Sequence, residues 1–164
     1  MVDVLFPQPG HDHRACIDQA IVRARRICSQ KGVKLTELRE SVLRVLLASH
    51  QALGAYEIID KLSNGGRRLA PISVYRIIEV LAHAGLVHRL ESKNAFFACL
   101  AHHDNDKSVV VLVCENCHRV AEADAPDAWG AIKSMTQASG FRISETVLEI
   151  QGTCASCHAS HEAA

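Results

Sequence analysis

Four of the seven cysteines fall as two CxxC pairs, Cys114/Cys117 and Cys154/Cys157. Two thiolates three residues apart can grip one face of a metal ion, and a second pair brought in from elsewhere completes the tetrahedron that zinc accepts without strain. An odd number of cysteines precludes complete disulfide pairing, and no charged-then-apolar leader opens the sequence, so the pattern favours metal thiolates in a reducing compartment. A redox CxxC is the competing reading, and the poorer one, because no redox-fold pattern surrounds either motif. The 36 residues between the pairs exceed the span of a simple zinc ribbon and predict a helix and a strand between them. Cys16 and Cys28 have no CxxC partner and read as small helix residues.

A second group of ligands lies upstream. The β-prone runs 86–90 and 96–100 flank Ser92-Lys93-Asn94-Ala95, and a two-residue turn at Lys93-Asn94 predicts that His88 stands directly opposite Cys99. Facing side chains on an antiparallel pair have Cβ atoms about 4.5–5.5 Å apart, close enough for an imidazole and a thiolate to share a metal. Asn94 tolerates the left-handed conformation such a turn needs. Just beyond comes Ala101-His102-His103-Asp104-Asn105-Asp106. A site made of His88, Cys99, one of His102 or His103 and a carboxylate would sit at a junction within the chain, where binding could set the angle between two modules.

The elements that must position these groups divide the chain in two. Residues 1–13 carry two prolines and a glycine without periodicity and read as a flexible tail. Helical spacing of Ile17, Ala20, Ile21, Ala24, Ile27 and Cys28 predicts a helix over 14–31. A second helix follows over 36–48, with Thr36 as N-cap and Leu38, Val42, Val45 and Leu46 inward, and a third over 55–63. The fourth, 73–84, buries Val74, Ile77, Ile78, Leu81 and Ala82 and turns Tyr75, Arg76, Glu79 and His83 outward. Short helices in series followed by a hairpin describe a winged helix-turn-helix over 14–100, whose last helix enters the major groove. Tyr75 and Arg76 lie at the end of that helix that reaches base edges, and Arg is the side chain shaped to take guanine O6 and N7 together. After a hinge at about 100–107, the segment 108–164 reads as strand 108–114, helix 126–139 carrying Trp129, Ile132 and Met135 on one face, and strand 142–151. So thin a layer buries little alone, which predicts a twofold homodimer. The fold class is α+β: an N-terminal winged helix-turn-helix plus a C-terminal α/β dimerisation domain with the four-cysteine zinc site.

Charge follows the same division. The 164 residues carry 18 basic and 18 acidic side chains, but 14 basic against 9 acidic fall in residues 1–93, leaving +5 there and −5 in the remainder. A basic half beside an acidic half suits a DNA-binding module joined to a separate one, since only the half facing phosphates needs the positive field. At 48% apolar and 22% charged residues the chain supports a folded core. Its longest apolar run, 109–114, is far short of a bilayer span of roughly 20 residues, so the expectation is a cytoplasmic protein with no membrane partner. A zinc deaminase is disfavoured because no HxE precedes the first CxxC at suitable spacing and four thiolates would close the coordination sphere. An enzyme is therefore not expected, nor any small-molecule substrate other than the metal ion.

The stretches LTELRESVLRVLL, AYEIIDKL, PISVYRIIEVLAHAGLVHRLES, FFAC, CENCHRVAE and CASC together resemble the ferric uptake regulator family, and are most similar to its zinc-sensing branch, the zinc uptake regulators. The resemblance implies a dimeric, zinc-dependent repressor that binds double-stranded operator DNA of zinc-uptake genes. By position it assigns Cys114, Cys117, Cys154 and Cys157 to structural zinc. It assigns His88, Cys99, Glu122 and His103, with His102 as the second choice, to regulatory zinc, and Ser73, Tyr75 and Arg76 to DNA reading. Three departures stand out. His118 follows the first CxxC where the family often has Gly, Ser73 stands where Thr is usual, and Thr146 replaces the histidine of a third metal site, which implies two Zn2+ per protomer. A thiolate in the sensory site favours zinc over ferrous iron. The alternatives are an iron- or peroxide-responsive member of the same family, or a metal-indifferent DNA-binding adaptor with structural zinc only.

Overall fold

The structure, a computed structural model, describes residue 6 and residues 13–66, 68–99, 109–144 and 146–162. It divides into two compact units, one holding the described residues from His13 to Cys99 and the other those from Val109 onward together with Phe6. Among the described residues no helix is long and apolar enough to cross a membrane.

The first unit begins with α1 (His13–Gln30), which takes in the last residue of the expected tail, and α2 (Glu37–Ser49). Thr36 caps α2 as its sequence predicts, its side chain accepting from Arg39 N at 3.4 Å and satisfying an amide that the first helical turn leaves without a partner. The buried stripe of α2 is Val42, Leu43, Leu46 and Leu47. It is therefore turned slightly from the expected one, with Leu38 and Val45 packed at its margin. Helix α3 (Ala55–Asn64) starts at Gly54, whose amide donates to the Glu57 carboxylate at 2.7 Å. Helix α4 (Pro71–His83) opens on proline, whose missing N–H costs nothing in the first turn. It buries Val74, Ile77, Ile78 and Leu81, whereas Ala82 is exposed and Ala84 takes the inward place.

Gly85 at φ 74 ends α4, with Leu86 N donating to Leu81 O at 2.9 Å, a left-handed stop that sends the chain straight into the wing. Lys31 Nζ donates to Ala84 O at 3.0 Å, so the end of α1 also ties down the end of α4. The wing is β1 (Val87–Leu90) against β2 (Ala95–Ala98), antiparallel. One continuous cluster runs from Ala20 through Leu46, Ile58, Val74 and Leu81 to Phe96 and Ala98.

The second unit is a three-stranded sheet in the order β4-β3-β5, built of β3 (Val109–Cys114), β4 (Val120–Asp124) and β5 (Glu149–Gly152). Strand β3 pairs antiparallel with β4 and parallel with β5. Helices α5 (Pro126–Ala138) and α6 (Ala155–Glu162) complete it. Strand β4 has no counterpart in the sequence expectation, β5 is much shorter than 142–151, and the chain after the second CxxC continues as a helix. No residue of α5 is buried within the chain, and Met135, Phe141, Val147 and Ile150 are all exposed. Phe6 and residues of β3 and β5, Leu112 and Ile150 among them, line a cavity of about 170 Å3 in this unit.

Candidate metal centre and nucleic-acid interface

The two CxxC pairs converge at one end of the sheet. Parallel pairing of β3 with β5 sets Cys114 beside Gly152, and two residues further on the chain reaches Cys154 at the start of α6. The first knuckle closes by Cys114 N donating to Arg119 O at 3.0 Å and His118 N donating to Cys114 O at 2.9 Å. The second uses the first turn of α6, where Cys157 N and His158 N both donate to Cys154 O, at 3.0 and 2.9 Å. All four sulfurs lie within 4.8 Å of one another, and Cys117 Sγ is 3.8 Å from Cys154 Sγ. Zn–S bonds of about 2.3 Å place tetrahedral sulfurs about 3.8 Å apart, so the donor set fits zinc in both chemistry and size. None of the seven cysteines forms a disulfide.

The surroundings favour thiolates at two of these positions. Burial works against the Cys114 anion, yet hydrogen bonds from the backbone amides of Cys117, Cys154 and Asn116 outweigh it and hold its pKa down to about 6. At Cys117 burial is likewise outweighed, chiefly by the Arg119 side chain, and the pKa falls below that of an ordinary thiol. Cys157, disfavoured by desolvation and by the neighbouring sulfurs, is pushed up to about 12. Opposite shifts within one cluster are what closely spaced thiols show until a cation shares their charge.

His118, where the family often has glycine, sits at φ 58. The knuckle requires a left-handed residue there, which explains why glycine is favoured at this place.

The wing differs from its expected register. His88 stands opposite Phe97, not Cys99, and the last pair is Leu90 with Ala95. The turn is four residues long, a single 3-10 turn over Glu91–Lys93 followed by Asn94 at φ 47. This corrects the two-residue turn: Lys93 is a poor left-handed residue, and the 3-10 turn leaves Asn94 alone in that region. The slip is two residues, so it preserves the face. Cys99, whose amide donates to Leu86 O at 3.0 Å, lies diagonal to His88 on the same side, and a ring nitrogen of His88 and Cys99 Sγ approach within 4.8 Å. The Phe97 ring lies 5.7 Å from the His88 ring and at 37° to it. In the other unit Glu122 stands on β4 opposite Val111, half-buried with a buried Oε1. His102 and His103 lie outside the described residues.

On α4, Tyr75 and Arg76 are exposed and Ser73 is half-buried, all in the first two turns. The Tyr75 ring meets Phe96 edge-to-face at 6.2 Å, so a wing residue fixes the attitude of a helix side chain. Sequence reasoning missed this support, and the only signal for it is the aromatic pair FFAC. It also missed Arg119 against the sulfurs, where the signal was a basic residue just past a CxxC. Of the arginines on α1, Arg25 is engaged with Glu40 at 2.9 Å.

The description of the ferric uptake regulator family matches residues 30–151. The chain belongs to that family. Members of the family are transcription regulators rather than enzymes, and their winged helix with a dimerisation domain is the α+β architecture seen in this chain. The chain is 30% identical over 139 residues to the zinc uptake regulation protein of Escherichia coli (strain K12), covering 85% of this chain and 81% of that one. Among solved structures it is similar to a zinc uptake regulator complexed with zinc and DNA, with a TM-score of 0.82 and 29% identity over 90% of this chain and 98% of that one. It is also similar to holo XcZur, with a TM-score of 0.75 and 36% identity over 87% and 99% of the two chains.

Proposed function

We propose that the protein is a zinc-responsive, homodimeric transcriptional repressor that binds operator DNA of zinc-uptake genes when zinc-loaded. Residues 14–100 form the DNA-binding domain, about 100–107 the hinge and 108–164 the dimerisation domain. Each protomer takes two Zn2+. Cys114, Cys117, Cys154 and Cys157 hold the structural ion. His88, Cys99, Glu122 and His103, or His102 in its place, hold the regulatory one, drawing ligands from both sides of the hinge so that its binding selects one arrangement of the two domains. Ser73, Tyr75 and Arg76 read the operator. Zinc supplies a charge that ties ligands together; the remaining work belongs to side chains of this chain.

The observation that carries this reading is the diagonal pair on the wing, an imidazole nitrogen and a thiol sulfur within 4.8 Å on the strands that follow the reading helix. A soft sulfur ligand at this place supports zinc over ferrous iron. Similarity to zinc uptake regulators, one of them in complex with zinc and DNA, supports the same metal and the same partner. The exposed apolar side chains Met135, Phe141, Val147 and Ile150 give the second unit a surface suited to a second copy, and a twofold dimer presents two α4 helices to two half-sites.

The test is capture of genomic DNA fragments by the purified protein across a series of buffered free zinc concentrations, with ferrous iron run anaerobically in parallel. Capture should appear only above a zinc threshold and return one near-palindromic sequence. Capture indifferent to zinc would identify an adaptor, and a response to iron alone would overturn the metal.

A further inference from the structure

The ligand spacing of the four-cysteine centre is complete without any other residue, yet Arg119 is aimed at it. Two positions past Cys117, its half-buried side chain turns back over the sulfurs. Nε donates to Cys117 Sγ at 3.2 Å and Nη2 to Cys154 Sγ at 3.7 Å. One guanidinium therefore spans both knuckles, touching one sulfur of each CxxC. The backbone of Arg119 is held separately, through its carbonyl to Cys114 N at 3.0 Å, so the side chain is not what closes the turn. Cys114 is served differently, by the backbone amide of Cys154 at 3.4 Å.

Four thiolates around a divalent cation carry a net charge of −2, and a guanidinium in contact reduces it to −1. N–H···S bonds also draw electron density from sulfur, which lowers its attraction for protons and for electrophiles. Partners of this kind fix ligand orientation and metal retention in other metal sites. We infer that Arg119 is a positioning residue of the four-cysteine centre, which fixes Cys117 and Cys154 in their liganding orientation, shields their thiolates and sets how slowly the metal is released. The inference rests on zinc occupying that centre, as proposed above.

The experiment compares the full-length wild type with Arg119→Ala, Arg119→Lys, the exposed-arginine control Arg142→Ala, and Cys114→Ser. Three quantities are read: zinc content, the rate of zinc transfer to a colorimetric chelator with and without N-ethylmaleimide, and the sulfur-to-metal charge-transfer band of the cobalt-substituted protein. Wild type and Arg142→Ala should retain a slowly exchanging zinc that Cys114→Ser lacks. Arg119→Ala should release it about tenfold faster or more, with the charge-transfer band moved to lower energy as the sulfurs become more electron-rich. Arg119→Lys, which keeps the charge but loses the fork, should fall between them and stays informative even where the alanine variant folds poorly. Wild-type release with an unmoved band in Arg119→Ala would overturn the inference, as would faster release with an unmoved band, which would mean only a loosened turn. Absence of slowly exchanging zinc from the wild type would instead overturn the occupancy of the centre itself.

Discussion

Replacing Cys114 with serine should unfold the second unit while leaving the first intact. The buried apolar side chains of the second unit, among the described residues, are Val110, Val113, Val120, Ala121 and Ala123 besides the cysteines. Three valines at about 1.5–3 kcal/mol each and two methyl groups at about 0.8 give roughly 6–11 kcal/mol of apolar stabilisation. A structural zinc contributes about 10–16 kcal/mol to small domains of this kind, as much as that entire core or more. Cys114 ends the central strand, its amide closes the first knuckle and its sulfur accepts from Cys154 N, so its loss disconnects β3 from both zinc knuckles. The first unit is differently supported, by a cluster of large aliphatic side chains that includes Ile21, Leu46, Ile58 and Leu81. Hydrogen exchange resolved along the chain is the assay. Residues 109–152 of Cys114→Ser should exchange at close to unfolded rates while α2 and α4 keep wild-type protection. Wild-type protection over 109–152 in a variant whose zinc content has fallen would refute the reasoning, since the apolar core would then suffice alone.

Cys99→Ser should lower zinc-dependent DNA affinity about tenfold or more, equivalent to about 1.4 kcal/mol, while thermal unfolding of the winged-helix unit is unchanged; anisotropy titrations at buffered zinc and a melting curve check both. Arg76→Ala should cost about 1–3 kcal/mol of binding and relax preference at the base it reads, measured with a panel of operator variants. At Glu40, burial raises the carboxyl pKa but hydrogen bonds from Arg25 and Arg44 outweigh it and hold it below the ordinary range. A depressed folded pKa contributes stability that is present above the unfolded value of about 4.3 and is lost as pH falls through the folded one. Glu40→Gln should therefore be less stable than wild type at pH 7, and the gap should close below about pH 4 in denaturant titrations. His118→Gly removes a left-handed strain of about 1–2 kcal/mol and adds the conformational entropy of glycine to the unfolded chain, about 0.5–1 kcal/mol; a small net gain, seen as a higher melting temperature, is expected.

The helices were legible because apolar period and end signals agree: Thr36 before α2, Pro71 opening α4 and Gly85 closing it each have one physical job. The four-cysteine centre was legible for a similar reason, since CxxC spacing fixes two ligands locally and zinc requires four. Strand β4 was not, because VAEAD holds two alanines and one β-branched residue and becomes a strand by pairing with β3 rather than by propensity. Helix α6 is short and not amphipathic in its sequence, ASCHASHE, and its start is fixed by the second knuckle. The apolar residues Trp129, Ile132 and Met135 were legible as one face of α5, and the helix buries no residue within the chain, as expected of so thin a layer. The wing register failed at its tip, where turn length is decided by which residue takes the left-handed position.

A hairpin has two faces, and a shift by two residues restores each side chain to the face it left, whereas a shift by one exchanges them. His88 and Cys99 met on one face in the expected register and meet on one face in the observed one. Selection on this wing can therefore tolerate length changes at its tip that come in even numbers, with the imidazole and the thiol still on one surface. A single-residue insertion that shifts the pairing would send one of them to the core side. Parity, more than length, is the trait this hairpin must inherit.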